Sequence, residues 1–324
     1  MSIMKKVIIL GSTGSLGQQT LEVLTKYQDK LGVIALTARS REKLLAEQAA
    51  KFKVPTTSLS PDIDLGEADI VINLLSGIAG IEPTKTALKL GKTLLLGNKE
   101  SIVAAGDEIM PLVGAGQLIP VDSEHNAIAE ILKAESGPVR RLIIPCSGGP
   151  FLGKSAAEIA NLTAKEALAH PKWSMGPKIS VESATLINKG LEIIEAHYLF
   201  SLPFDQIEAR IHPECLIHGA VEFDNGRILA YKSQPDMREH IENSILQALG
   251  EDVSPHPAIS EISAEELAAL PLPDHKTLPG IRLVTEAFEQ GRIKAFLAQE
   301  EEEISKFIEG GTSLSSLLGA LSLC

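Results

Sequence analysis

Cysteine is nearly missing from this chain of 324 residues. Cys146, Cys215 and Cys324 have neither CxxC spacing nor an even count, which excludes a disulfide framework and reads as reduced thiols in a reducing compartment. Long apolar runs are missing too. No stretch approaches the roughly 20 apolar residues of a membrane span. The two lysines and short apolar run of Met1–Leu10 lack the longer hydrophobic core and small-residue cleavage site of a signal peptide, so a soluble, cytoplasmic protein is expected. Positive charge is also scarce. Thirty Lys and Arg face 42 Asp and Glu, a formal charge of −12, so there is no broad basic field for a nucleic acid or an anionic membrane. A small anionic ligand, held locally by one lysine or a helix N-terminus, remains compatible with that charge. Gly and Pro are near average usage, and there is no internal repeat or low-complexity tract. Apolar residues make up 44% and charged residues 22%, a globular composition whose length suits about two domains and a possible appendage.

The first half alternates between strand and helix patterns. Lys6–Leu10, Val33–Thr37, Ala68–Leu75 and Lys92–Leu96 are short apolar runs separated by helical periodicity, which predicts a doubly wound parallel sheet of Rossmann type, an α/β fold. Between the first strand and the first helix lies Gly11-Ser12-Thr13-Gly14-Ser15-Leu16-Gly17. Such a turn aims backbone N–H groups and a helix dipole at a phosphate, although a tight turn with close helix–strand packing gives the same pattern. After the second strand, where an NAD site has an acid, the chain has Arg39-Ser40-Arg41. Two arginines and a serine suit the 2′-phosphate of NADP; the other reading is the start of a solvated helix.

Near residue 120 the character changes. Asp122 and Glu124 are two residues apart, and in an extended segment they point to one side and can share a hard cation such as Mg²⁺ or Mn²⁺. A surface turn or helix cap is the alternative. Ser147-Gly148-Gly149 can present a hydroxyl and bare N–H groups to an anion, or form an ordinary loop. His170–Gly176 reads as a loop carrying the only tryptophan, Trp173, either a plate that closes over a ligand or a core residue. A helix expected from about Ser183 sets Asn188 and Glu192 on one face with Lys189 beside it, above an apolar stripe of Leu186, Ile187, Leu191 and Ile194. Strands are expected at Ala209–His212, Leu216–Phe223 and Ile228–Lys232, with a hairpin turn at Asp224-Asn225-Gly226, giving a small, mostly antiparallel sheet. A proline-containing linker over 249–276 and helices from Ile281 complete the chain. The acidic run Glu300–Glu303 reads as a solvated helix face.

Seven motifs in one order resemble the 1-deoxy-D-xylulose 5-phosphate reductoisomerase family: Gly11–Gly17, Gly97-Asn-Lys-Glu-Ser101, Pro120–Asn126, Ser147–Phe151, His170–Gly176, Asn188-Lys-Gly-Leu-Glu192 and Pro235-Asp-Met-Arg238. The resemblance covers roughly residues 4–298. It implies an NADPH- and divalent-metal-dependent enzyme of the non-mevalonate isoprenoid route that makes 2-C-methyl-D-erythritol 4-phosphate by a retro-aldol and aldol rearrangement followed by hydride reduction. Asp122, Glu124 and Glu192 match the metal ligands. Ser147, Ser183, Asn188 and Lys189 match groups around the substrate phosphate, and Ser123 and His170 match groups near the substrate backbone. Trp173 and Met175 match a flap, and Lys99 lies close to metal ligands and cofactor. The cofactor set implied is Gly11–Leu16, Arg39–Arg41, Asn98, Lys99, Glu100 and Met237. The resemblance further implies a homodimer. Its NADP-binding domain is expected over 1–121, a catalytic and connective domain over 122–248, and a C-terminal helical domain over 277–324.

The chain departs from the family pattern at Gly97 (usually Ala), Glu182 (usually Asp), Lys232-Ser233 (usually Leu-Gly) and His240 (usually Pro). The C-terminal region skips a segment that usually carries an Asn-Ala-Ala-Asn-Glu run, and it ends early. All matched metal and phosphate residues precede that region, so activity is expected to survive. Two alternatives remain. One is another NADP-dependent reductase of a phosphorylated or carboxylated carbonyl compound; the other is a catalytically silent NADP-binding regulator.

Overall fold

The structure, a computed structural model, describes residues 4–160, 162–169, 172–173, 175–251 and 254–323. The chain divides into two compact units, Met1–Asn126 with Asp236–Val253, and Ala127–Pro235 with Ser254–Cys324.

In the first unit, strands β1 (Lys5–Leu10), β2 (Leu31–Thr37), β3 (Thr56–Ser58), β4 (Ile70–Asn73), β5 (Thr93–Leu96) and β6 (Leu118–Pro120) form one sheet in the order β3-β2-β1-β4-β5-β6. The pairings are parallel. Strands of such a sheet are covered on both faces, hence their continuous apolar runs: Val7, Ile8, Ile9 and Leu10 are all buried. The three-residue strands β3 and β6 were not expected, being too short to leave a periodic signal. Strand order reverses between β1 and β4, which opens a crevice at the carboxyl ends of the strands, where ligands of this fold class bind.

The core of this unit draws on a distant part of the chain. Ile241 and Ile245 of the helix Met237–Leu249 join Ile9, Leu21, Leu24, Leu36, Ile72 and Leu95, each contributing about 1.5–3 kcal/mol on full burial. Asp236 caps that helix by accepting the Arg238 N–H at 3.0 Å, and Gly250 ends it at φ +72°.

In the second unit, β7 (Val139–Cys146), β8 (Ile207–Ile211), β9 (Ile217–Phe223), β10 (Ile228–Lys232) and β11 (Ile259–Glu261) are ordered β11-β10-β9-β7-β8. β7 pairs with β8 in parallel, and the other pairings are antiparallel. The mostly antiparallel sheet is as expected, with the β9–β10 hairpin turning at Gly226. β7 and β11 enlarge it beyond the three strands anticipated. The stretch expected as an extended linker carries β11 and a helix, Ala264–Ala268. Helices Gly280–Glu289, Ile293–Ile308 and Leu314–Leu321 follow.

Three local expectations need correction. The helix placed from about Ser183 is two helices, Pro177–Thr185 and Ile187–Phe200, broken at Leu186 with φ +63°. A left-handed leucine costs about 1–2 kcal/mol; Leu186 is 2% exposed, and its burial offsets that cost. Asp122 and Glu124 do not share an extended segment. The helix Ser123–Ala134 begins directly after Asp122, whose carbonyl accepts the Asn126 N–H at 2.8 Å, and Glu124 lies in the first turn, where the helix dipole favours an acid. Glu300, read as part of a solvated face, is completely buried. Among the described residues no helix is long and apolar enough to cross a membrane.

Candidate active site

The loops at the carboxyl ends of β1, β2, β5 and β6 carry most of the expected cofactor and metal residues of the first unit. After β1, the chain turns at Gly11 (φ +85°), and the N–H groups of Gly11 and Ser12 donate to the Thr37 carbonyl at 3.1 and 2.9 Å. In the first turn of the helix Ser15–Leu24, Gly17 lies so close to this turn that a Cβ on it would be 2.4 Å from the Gly11 carbonyl oxygen and 2.5 Å from that of Ser12. The glycine turn and the arginine segment meet: the Arg41 guanidinium donates to the Thr13 carbonyl at 3.2 Å. Arg39, Ser40 and Arg41 are exposed, and Arg41 adopts φ +64°, a strained conformation of the kind that clusters at ligand sites. Ser15 is exposed, and Leu16 and Met237 are half-buried against the core cluster of this unit.

After β5, Asn98 caps the helix Lys99–Ile109. Its side chain accepts the Ser101 N–H at 3.1 Å and donates to the carbonyls of Leu75 and Gly77 at 3.0 and 2.9 Å. Glu100 accepts the Gly77 N–H at 2.8 Å. Asn98 and Glu100 thus pin the loop after β4, with their side chains buried. Lys99 opens the same helix and sets its ammonium 2.5 Å from the Asp122 carboxylate. Ligand oxygens of Asp122 and Glu124 lie within 4.8 Å of each other. Ser123 donates to Glu124. Two hard carboxylates at this spacing suit one Mg²⁺ or Mn²⁺, whose oxygen ligands stand about 2.1 Å away in the case of Mg²⁺.

In the second unit, polar groups gather where β7 ends and where Ile187–Phe200 begins. Lys189, 2% exposed, donates to the Pro145 carbonyl of β7 at 2.7 Å and pairs with Glu192, which is 1% exposed and also accepts from Asn188. Ser147 follows β7 directly, its hydroxyl accepting the Gly149 N–H at 3.0 Å. Gly149, at φ +68°, passes so near Pro177–Thr185 that a Cβ would lie 2.9 Å from the Ser183 carbonyl oxygen and the Ala184 Cα. Ser147 and Ser183 are therefore on neighbouring backbones. Half-buried Trp173 meets the His218 ring edge-on with centroids 6.1 Å apart, and Met175 is half-buried. His170 lies outside the described residues.

Comparison with known proteins matches residues 118–200 to a model of the 1-deoxy-D-xylulose 5-phosphate reductoisomerase C-terminal domain, and residues 7–64 and 56–106 to a model of 1-deoxy-D-xylulose 5-phosphate reductoisomerase. The reductoisomerase of Lachnoclostridium phytofermentans is 39% identical over 97% of this chain and 89% of its own. This chain belongs to the 1-deoxy-D-xylulose 5-phosphate reductoisomerase family. The reductoisomerase of Leifsonia xyli is 47% identical over 72% of this chain and 66% of its own. A crystal structure of a DOX-P reductoisomerase in complex with NADPH, fosmidomycin and magnesium superposes with a TM-score of 0.85 at 31% identity, covering 99% of this chain and 89% of that one.

Supporting residues lie far from the site residues in sequence. The Ser12 hydroxyl donates to the Gln48 carbonyl oxygen at 2.8 Å, and the Gln48 amide returns a bond to the Ser12 carbonyl at 2.9 Å. Asn126 contacts the Ser244 hydroxyl at 3.2 Å and His240 Nδ1 at 3.2 Å, while Ser244 donates to the Pro120 carbonyl at 3.0 Å. This buried network clamps the segment from Pro120 to Asn126, which bears Asp122 and Glu124, and His240 is part of it. Partners 36 and more than 110 residues apart leave no local signal.

Proposed function

We propose that this chain converts 1-deoxy-D-xylulose 5-phosphate to 2-C-methyl-D-erythritol 4-phosphate, with NADPH as reductant and Mg²⁺ or Mn²⁺ as metal, and so serves isoprenoid precursor synthesis. The observation that carries the reading is the gathering of a carboxylate, an ammonium and an amide around the start of Ile187–Phe200, beside the neighbouring hydroxyl-bearing backbones of Ser147 and Ser183. Family membership supplies the reaction. Residues 1–121 act as the NADP-binding domain, 122–248 as the catalytic and connective domain, and 277–324 as the helical domain. The enzyme works as a cytoplasmic homodimer.

In this reading Asp122 and Glu124, with Glu192, hold the divalent cation. Gly11–Leu16, Arg39–Arg41, Asn98–Glu100 and Met237 hold NADPH. When bound, the cation supplies a Lewis acid for the substrate ketone and the cofactor supplies the hydride. Ser147, Ser183, Asn188 and Lys189 bind the phosphate. Anchoring it away from the reacting carbons would hold the phosphate-bearing aldehyde fragment, while the metal ligands would serve to retain the phosphate-free fragment, so that the carbon–carbon bond re-forms within one site. Ser123 and His170 orient the substrate backbone. Trp173 and Met175 exclude water that would protonate the enolate. Lys99 offsets the charge of Asp122 and orients its carboxylate.

The direct test is NADPH oxidation with 1-deoxy-D-xylulose 5-phosphate, with and without Mg²⁺ or Mn²⁺. Metal-dependent oxidation yielding methylerythritol phosphate is expected. Folded, NADPH-binding protein that never turns over would sink the assignment. The double replacement Arg39→Ala and Arg41→Ala is expected to weaken NADPH binding by roughly a hundredfold or more, since charge-assisted hydrogen bonds contribute about 1.5–3 kcal/mol each. NADH binding is expected to change little, and titration with both nucleotides decides it. Analytical ultracentrifugation checks the dimer.

A further inference from the structure

Glu300 belongs to the helix Ile293–Ile308 and lies in its buried stripe with Ile293, Phe296, Leu297, Ile304 and Phe307. Within the second unit this helix packs on Pro177–Thr185. Across that contact the Lys178 ammonium is 3.0 Å from the Glu300 carboxylate, and it also pairs with Glu182, one turn along its own helix. The side chains of Glu300, Glu182 and Lys178 are 0%, 5% and 21% exposed.

Such a cluster is costly to bury. Lys178 also occupies the second position of its helix, where the dipole disfavours a cation. Two carboxylates at the ammonium offset both penalties. Burial, together with the neighbouring Glu182, pushes the Glu300 carboxyl well above the usual carboxylate range, and Lys178 opposes this less strongly.

The helix so fastened has two functional attachments. It begins at Pro177, two residues after Met175, and it carries Ser183, whose carbonyl lies against Gly149 of the Ser147 loop. We propose that Glu300 is a positioning residue: through Lys178 it fixes the helix Pro177–Thr185, and with it Ser183 and the base of the stretch bearing Trp173 and Met175. The C-terminal helical region, which carries none of the assigned ligands, would then act on the substrate site through this buried contact, in addition to the packing of Gly280–Glu289 on Ile187–Phe200. The substrate part of this inference rests on the proposed function; the mechanical part does not.

The test compares Glu300→Leu, Glu300→Gln and Glu300→Asp in the full chain, by two readouts. The first is KM against kcat. Leu is expected to raise KM for 1-deoxy-D-xylulose 5-phosphate roughly tenfold, with NADPH affinity unchanged, because small displacements of positioning groups carry large kinetic penalties. Gln, which keeps a hydrogen-bonding head at the same reach, is expected to restore KM to near the wild-type value. The second readout needs no turnover. Trp173 is the only tryptophan, so acrylamide quenching of its fluorescence reports directly on that stretch, and Leu should raise the quenching constant about twofold as the ring is exposed. Wild-type KM and quenching in a Leu variant that merely melts earlier would overturn the proposal. If the Leu variant does not fold, Asp replaces it: one methylene shorter, it should move both readouts, and wild-type values for both would overturn the proposal. A wild-type chain without turnover would strike the proposed function, and the quenching comparison would then decide this inference alone.

Discussion

Glu192→Gln is expected to abolish metal-dependent turnover while leaving NADPH binding nearly unchanged. The amide keeps the volume of the side chain but removes the charge that a hard divalent cation requires. Outer-shell partners of a metal are worth roughly 10–100-fold, so losing a direct ligand should cost at least that in kcat. Glu192 is also the buried partner of Lys189, and stripping one member from a buried pair typically destabilises by about 3–5 kcal/mol. Turnover must therefore be read well below the variant's melting point. NADPH titration provides the control, because the glycine turn belongs to the other unit. An equal loss of NADPH affinity would remove Glu192 from the metal site.

The second large effect is expected at Gly17. In Gly17→Ala the new methyl group would meet two backbone carbonyl oxygens, at 2.4 and 2.5 Å, and neither can swing aside as a side chain would. The first helix must retreat from the β1 turn, which opens the core around Leu21 and Leu24 and withdraws the helix N-terminus from the phosphates. Overpacking of this kind costs roughly 1–3 kcal/mol, occasionally more, and the upper end is expected here. NADPH affinity should fall at least about a hundredfold by the loss of close backbone approach. Urea unfolding and NADPH fluorescence titration check the two effects. A variant that binds NADPH like the wild type would show that close approach at Gly17 is unnecessary.

Much of the site was legible because its signals are local. Lys6–Leu10 followed by three glycines announced a strand, a turn and a helix. Arg39 and Arg41 follow the second strand, and Arg41 indeed meets the glycine turn at the Thr13 carbonyl. The ordered motifs from Gly11 to Arg238 pointed to the family, and whole-chain comparison established it. Other features were hidden for identifiable reasons. The break at Leu186 has no glycine or asparagine to mark it, and the apolar periodicity runs through it. The spacing of Asp122 and Glu124 does not itself distinguish an extended segment from the cap and first turn of a helix. Glu300 was read as solvated because three acids follow it, although its spacing from Phe296, Leu297, Ile304 and Phe307 put it on the apolar stripe.

The sequence by itself determined the strands, the glycine turn, and the candidate site residues and their order along the chain. Each of these depends on backbone sterics, periodicity or side-chain chemistry within a few residues. Only the tertiary structure decided that Gln48 braces Ser12, that Ser244 and His240 hold the segment carrying Asp122, that Lys189 reaches Pro145, and that Lys178 meets Glu300. Those pairings depend on how helices and sheets pack, and burial rewards any arrangement that closes the core, so no short stretch of sequence specifies them.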